Sequence, residues 1–152
     1  MSQIESSYSR DANGVPILGE GIVVTKTRTY TGAVGLGEAG AATLFTVTGD
    51  VLVHLFAKCT TDLTVTGAAT IEIGITGNTA VLIAQTTASG IDSGEIWVDT
   101  GAATVEALPN KYILVGGTDI IETIATADID GGVLTFYCLW TPLSEDANLV
   151  AA

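Results

Sequence analysis

The chain of 152 residues is long enough for one domain with its own hydrophobic core, so it needs neither a disulfide nor a metal ion to fold. It carries 17 Asp and Glu residues against five Lys and Arg, a net charge of -12, which excludes direct binding to a phosphate backbone. Charged residues make up only 14% of the chain, against about 25% in average domains. We therefore expect a surface rich in Thr, Ser and Gly and partly covered by partner subunits.

The first 21 residues differ in composition from the rest of the chain. They are polar and carry turn signals at Asn13-Gly14 and at Pro16. This composition predicts an extended N-terminal arm without a core of its own, which is either disordered or ordered by a partner. The segment lacks the basic start and apolar stretch of a secretory signal, and no apolar run in the chain approaches the ~20 residues of a membrane-spanning helix. We therefore expect synthesis in a cytoplasm and no membrane contact.

From residue 22 onward, short runs rich in Val, Ile and Thr are separated by Gly, Asp and Asn, and helical periodicity is absent. The predicted strands cover residues 22–30, 43–48, 51–58, 70–75, 80–84, 95–99, 112–115, 119–125 and 133–141. Residues 32–42 are mostly Gly and Ala and predict a linker. Hairpin loops are predicted at Gly77-Asn78 and at Asp130-Gly131-Gly132, because these residues tolerate positive φ.

Alternation of side chains predicts how two of these strands are buried. In residues 70–75, Ile71, Ile73 and Ile75 share one face, which is typical of a half-buried strand. In residues 133–141, one face carries Leu134, Phe136, Cys138 and Trp140, and the other carries Val133, Thr135, Tyr137 and Leu139. The second strand is therefore predicted to be central and covered on both sides. Together the strands predict an all-β fold, a single-domain antiparallel β-sandwich or jelly-roll-like barrel over residues 22–152, with the arm at residues 1–21.

Few residues have the chemistry of a catalytic or metal site. His54 shares a strand face with Leu52 and Phe56, which favours a packed or interface histidine over a catalytic one. Cys59 and Cys138 lack the close spacing of zinc ligands, and two buried free thiols are the simpler interpretation. We expect no cofactor.

Two acidic clusters have structural explanations that we favour. Asp92, Glu95 and Asp99 flank Trp97, as in a glycosidase or sugar-binding cleft, but a turn beside a packed tryptophan is the stronger interpretation. Residues 128–132 resemble the opening of a calcium loop. An EF-hand needs Glu nine residues after Asp130, where this chain has leucine, so a turn is favoured. The chain is predicted not to be an enzyme.

Three segments carry a resemblance to virion proteins of tailed bacteriophages. They are YSRDANGVP at residues 8–16, GAATIEIG at 67–74 and FYCLWTPL at 136–143, set in a body rich in Thr, Ala and Gly. In these segments and in the composition of its body, the chain resembles capsid decoration proteins, also called cement or auxiliary head proteins. The resemblance implies a homo-oligomer, often a trimer, that binds the major capsid protein on the outer capsid surface of a particle assembled in the host cytoplasm. It also implies that the arm contacts the shell.

The arm residues expected to contact the capsid are Tyr8, Arg10, Val15, Pro16 and Ile17. The alternative function is a phage tail or fibre module that binds a host receptor or glycan. For that function the stacking platforms would be Trp97, Tyr112 or Trp140.

Overall fold

A computed structural model describes residues 9–10, 16–17, 22–107 and 110–152 of the chain. Strands dominate this part, because its many branched side chains suit the pleated surface of a sheet. In chain order the strands are β1 (Ser9–Arg10), β2 (Pro16–Ile17), β3 (Ile22–Thr29), β4 (Gly40–Thr48), β5 (Val51–Val65), β6 (Thr70–Ile75), β7 (Asn78–Thr87), β8 (Ile96–Val98), β9 (Gly101–Ala103), β10 (Tyr112–Leu114), β11 (Ile120–Ala125), β12 (Ile129–Pro142) and β13 (Asn148–Ala151). A single 3-10 turn, Ala88–Gly90, follows β7. No helix in these ranges is long and apolar enough to cross a membrane.

Two antiparallel sheets form a β-sandwich, which is one of the two architectures predicted. The first sheet has the order β3-β12-β5-β8-β9, with β10 also paired to β5. The second has the order β13-β4-β11-β6-β7. The short strands β1 and β2 pair with each other. The longest strands, β5 and β12, lie side by side in the first sheet and therefore form its centre.

The core lies between the two sheets, where β5 and β12 contribute every second side chain over most of their length. From β12 it receives Leu134, Phe136, Cys138 and Trp140, as the alternation predicted. Trp97 of β8 meets Phe136 edge to face, with ring centroids 6.4 Å apart. The Trp97 indole Nε1 donates a hydrogen bond to Thr86 Oγ1 at 2.9 Å, so this fully buried ring also has its polar atom satisfied.

One predicted loop ends earlier than expected and another is wrong, because glycines are part of the strands there. The linker predicted over 32–42 ends early, since β4 begins at Gly40. The hairpin loop predicted at 130–132 lies inside β12, where the register with β5 shifts at Gly131. Gly132 has a φ of +108°, and a Cβ there would lie 2.5 Å from the Asp62 carbonyl oxygen. These glycines therefore form a β-bulge that brings the two strands close together instead of a turn.

The other predicted strands are present with shifted ends. Residues 70–75 match β6 as predicted, and Gly77, with a φ of +88°, occupies the β6–β7 hairpin. Strand β5 continues to Val65, and β7 and β12 extend beyond both predicted ends. The prediction omitted β9 and β13, which are three and four residues long.

Removal of a central core ring provides a test of this packing. Phe136 is fully buried between the sheets, so Phe136→Ala leaves a cavity and is expected to lower the free energy of unfolding by about 3–5 kcal/mol. Thr46→Ala on the exposed face of β4 is the control, with an expected change within about 0.5 kcal/mol. Urea unfolding measures both, and similar values for the two variants would contradict the sandwich core described above.

Candidate functional site

The face of the first sheet that points away from the core is the strongest candidate for an interaction site. Side chains alternate along each strand, so the neighbours of the core residues point to this side. We define the outer face as Val23, Thr25 and Thr27 of β3, Leu52, His54, Phe56 and Lys58 of β5, Ile113 of β10, and Thr135, Tyr137, Leu139 and Thr141 of β12.

Strand register arranges these side chains in rows across the sheet. Leu139 lies between Val23 and His54 in one row. In the next row Tyr137 is opposite Phe56, and their rings stack with centroids 5.0 Å apart and planes 8° apart. Such a pair contributes about 0.5–1.5 kcal/mol beyond its buried area and holds both rings in fixed positions.

The outer face divides into an apolar half and a threonine half. The apolar half consists of Val23, Leu52, Phe56, Ile113, Tyr137 and Leu139 together with His54. The threonine half contains Thr27 and Thr135, whose hydroxyl oxygens lie 3.0 Å apart, beside Lys58. Val23 is 54% exposed and Ile113 63% exposed, so large aliphatic side chains at both sides of the apolar half lie open to solvent.

The outer face has no acidic position, although the chain is strongly acidic. None of its twelve residues is Asp or Glu, and Lys58 is its one Lys or Arg. Many carboxylates in the described ranges instead accept hydrogen bonds from backbone N–H groups. Examples are Asp99 with Ala84 at 2.9 Å and Asp119 with Val47 at 2.8 Å. The negative charge is therefore distributed over loops and other surfaces.

A second feature is a buried ionic cluster between the two sheets. Glu122 of β11 is 1% exposed and accepts a hydrogen bond from the Tyr30 hydroxyl at 2.5 Å. Its other oxygen accepts from the Arg28 guanidinium at 3.1 Å. Burial raises the pKa of the Glu122 carboxyl above its usual value, and Arg28 and the hydrogen bonds oppose that rise only in part. Burial and the neighbouring Glu122 also raise the pKa of Tyr30.

The cluster lies beside a cleft of about 210 Å³. Its walls include Arg28 and Glu122 together with Val34, Glu38 and Ile124. Arg28 also donates a hydrogen bond to the Gly35 carbonyl oxygen at 2.8 Å, so it ties the loop after β3 to both sheets. Both Glu122 oxygens are occupied by these partners, which indicates a structural clamp and not a reactive carboxylate.

His54 and the two cysteines do not form a common site. The His54 side chain is 6% exposed within the outer face, in line with the packed histidine expected. Cys59 pairs in register with Leu134, four residues from Cys138, so the two cysteines are roughly 13 Å apart along the sheet. This exceeds the reach of a disulfide, and both thiols are free and buried, as expected. Burial raises the pKa of Cys138 to about 12, which makes it unreactive at neutral pH.

The acidic residues around Trp97 are engaged in local structure. Glu95 accepts from the Asp92 backbone N–H at 2.9 Å, and Asp99 accepts from the Ala84 backbone N–H at 2.9 Å. Trp97 is fully buried. The structure therefore supports the turn and the packed tryptophan.

The other predicted acidic loop also fixes backbone. Asp128 accepts a hydrogen bond from the Ala39 N–H at 2.8 Å, which joins the start of β12 to the loop before β4. The ranges that the structure describes contain no group of three or more His, Cys, Asp or Glu residues that could hold a metal ion.

Three of the five expected contact residues of the arm, Arg10, Pro16 and Ile17, lie in the first two strands. Tyr8 and Val15 lie outside the described residues. Arg10 pairs with Pro16, and Ile17 pairs with Ser9, in the antiparallel β1–β2 pair.

The aromatic platforms of the alternative function are mostly inaccessible. Trp97 is 0% and Trp140 6% exposed, and Tyr112 is half-buried against the core.

The stacked pair of Phe56 and Tyr137 was not among the predicted site residues, nor was the cluster around Glu122. The signal for Glu122 was present in the sequence, because it alternates in phase with Ile120 and Ile124.

Comparisons with known proteins show what this fold resembles. No family model and no curated protein matches the chain. Solved structures of similar fold include a chain from the acidic stable capsid structure of Helicobacter pylori bacteriophage KHP30, with a TM-score of 0.54 and 8% sequence identity, covering 87% of this chain and 95% of that chain. A chain from the cyanophage Pam1 capsid asymmetric unit has a TM-score of 0.44 and 20% identity, covering 90% and 96%. The KHP30 match shows a shared β fold.

The raised pKa of Glu122 predicts how stability depends on pH. The folded protein keeps the Glu122 proton to a higher pH than the unfolded chain, whose value is near 4.5. The folded state therefore binds more protons between these two pKa values, and the contribution of Glu122 to stability falls as pH rises through that window. Urea unfolding of the wild type and Glu122→Gln from pH 4 to pH 8 isolates this contribution, because glutamine does not titrate. A wild-type stability that rises with pH relative to Glu122→Gln would contradict the prediction.

Proposed function

We propose that this protein is a non-enzymatic structural component of a phage particle. In this proposal it binds the major capsid protein on the outer capsid surface and stabilises the shell through multivalent contacts between proteins. It is a homo-oligomer, with a trimer favoured, and it joins the particle in the host cytoplasm.

The observation that carries the proposal is the fold match to a chain of the KHP30 capsid structure. The match covers 87% of this chain and 95% of that chain, so it extends over most of the sandwich and is not limited to one hairpin. Two properties of the molecule support it. An acidic body repels other anionic surfaces, including packaged DNA, and suits the outside of a shell. An open apolar sheet face suits protein–protein contact.

Multivalency explains how such a protein stabilises a shell. Each copy need only bind weakly, because copies joined in one oligomer bind neighbouring shell subunits with a high effective concentration. In the proposal the arm at residues 1–21 adds contact area, with Tyr8, Arg10, Val15, Pro16 and Ile17 on the shell. Ordering of an arm on binding lowers the affinity gained per unit area but extends contact across subunit boundaries.

The tail or fibre alternative is less well supported. A glycan-stacking platform needs an exposed ring, and Trp97 and Trp140 are buried in the core. Catalysis is likewise less well supported, because Asp92, Glu95 and Asp99 do not converge on an open site, and two of them bind backbone N–H groups.

The copy number in purified particles tests the location. Quantitative mass spectrometry against the major shell protein is expected to give near-stoichiometric amounts, because a protein that covers the shell repeats with its subunits. A few copies per particle would indicate a tail or vertex component. Complete absence from the particles would refute the proposal.

Deletion of residues 1–21 tests the arm. The truncated protein is expected to bind purified shells at least about tenfold more weakly, as the loss of about 1.4 kcal/mol of contact would produce. Its thermal midpoint should stay within a few degrees of the full chain, since the two sheets that enclose the described core consist of strands from β3 onward. A full-length variant with residues 1–21 in scrambled order is the matched control for chain length and charge. Unfolding of the truncated protein, or unchanged binding, would refute the arm assignment.

A further inference from the structure

We propose that the apolar half of the outer face is covered by a second copy of this chain. The inference rests on the proposed function, for which it names the surface that joins the copies of the homo-oligomer.

The first argument is the extent of the exposed apolar surface. Four adjacent strands, in the order β3-β12-β5-β10, contribute to it, so it extends about 14 Å across the sheet at about 4.8 Å per strand. Val23 and Ile113, at its two sides, are each more than half exposed. Val115 and Leu143, which directly follow β10 and β12, are 62% and 51% exposed at the same end of the sheet. Leu52, Phe56, Tyr137 and Leu139 lie between Val23 and Ile113 and are half-buried, so the apolar surface continues across the four strands. Apolar surfaces that continue over neighbouring strands and stay open to solvent are typical of protein–protein interaction sites.

The second argument concerns which partner fits. Two copies of a chain with a net charge of -12 repel each other wherever carboxylates meet. The outer face carries no carboxylate at any of its twelve positions, so another copy that approaches this face meets no like charge from it, whichever of its own surfaces it presents. A different partner of unknown charge imposes no such requirement, whereas a second copy explains why all the acidic residues lie elsewhere.

The third argument is the arrangement of side chains within the face. Protein interfaces concentrate binding energy in rigid aromatic and aliphatic anchors surrounded by polar side chains that exclude water. The stacked rings of Phe56 and Tyr137 are held 5.0 Å apart beside Leu139, and Thr27 and Lys58 lie at the margin. The face thus has the anchors and the polar rim of a contact between subunits, on a sheet that needs no rearrangement to bind.

Charge substitution at the two exposed sides of the face tests the inference. Sedimentation velocity and light scattering on the full chain measure the mass of the wild type, Ile113→Glu and Val23→Glu. The wild type is expected to be an oligomer, and each substitution is expected to weaken association at least tenfold, because it places an unpaired carboxylate inside the contact. Both side chains are more than half exposed, so the fold should persist, which circular dichroism and a thermal melt check.

Val150→Glu is the matched control. It makes the same substitution at a residue that is 46% exposed on β13 of the other sheet, so it adds the same charge away from the outer face. An oligomer that dissociates in the two outer-face variants and persists in the control supports the inference. A monomeric wild type, an oligomer unaffected by both variants, or equal dissociation in the control overturns it. The copy number in particles is measured independently, so loss of this contact surface and loss of the virion assignment are distinguishable.

Discussion

The structure depends on the pairing of β5 with β12, the two longest strands, which have 15 and 14 residues. Both carry apolar side chains on their two faces, so one face of the pair has to form the core and the other remains for a different partner. The core face holds Leu55, Ala57 and Phe136, and its burial between the sheets provides the main stabilisation of the sandwich. The opposite face holds Phe56 and Tyr137, which are not the side chains expected on a sheet face that contacts only water. A single pair of strands thus determines both the fold and the candidate interaction surface.

The distribution of charge follows from the same architecture. Apolar residues occupy both sides of the central strands over most of their length, and carboxylates next to strand ends, such as Asp99, Asp119 and Asp128, accept hydrogen bonds from backbone N–H groups. Each such bond is charge-assisted and fixes a loop without a basic partner, which explains how a chain with five Lys and Arg residues keeps its acidic groups structured. Two buried glutamates differ, because Glu122 binds Arg28 and Tyr30 between the sheets and Glu72 accepts a hydrogen bond from Gln85 Nε2.

Sequence reasoning predicted the strands of the body well because alternation is a local property. It identified β6 at its observed bounds and placed the core face of β12 correctly. It was wrong where glycine has two structural uses, since Gly131 and Gly132 suit a bulge as well as a turn, and only the partner strand decides between them. It also did not identify the Phe56–Tyr137 pair, because neighbours across a sheet depend on strand order, which alternation within one strand does not contain.

The second face of β12 shows how the sequence and the structure combine. The sequence predicted a strand covered on both sides, and the structure covers one side fully while Tyr137 and Leu139 on the other remain half-buried. The prediction was made from apolar content, which does not distinguish burial within one chain from burial against another chain. A fold built from one chain accounts only for the contacts within that chain. The difference between the two is located on the carboxylate-free side of the first sheet, and this is where a partner would complete the burial that the sequence of β12 implies.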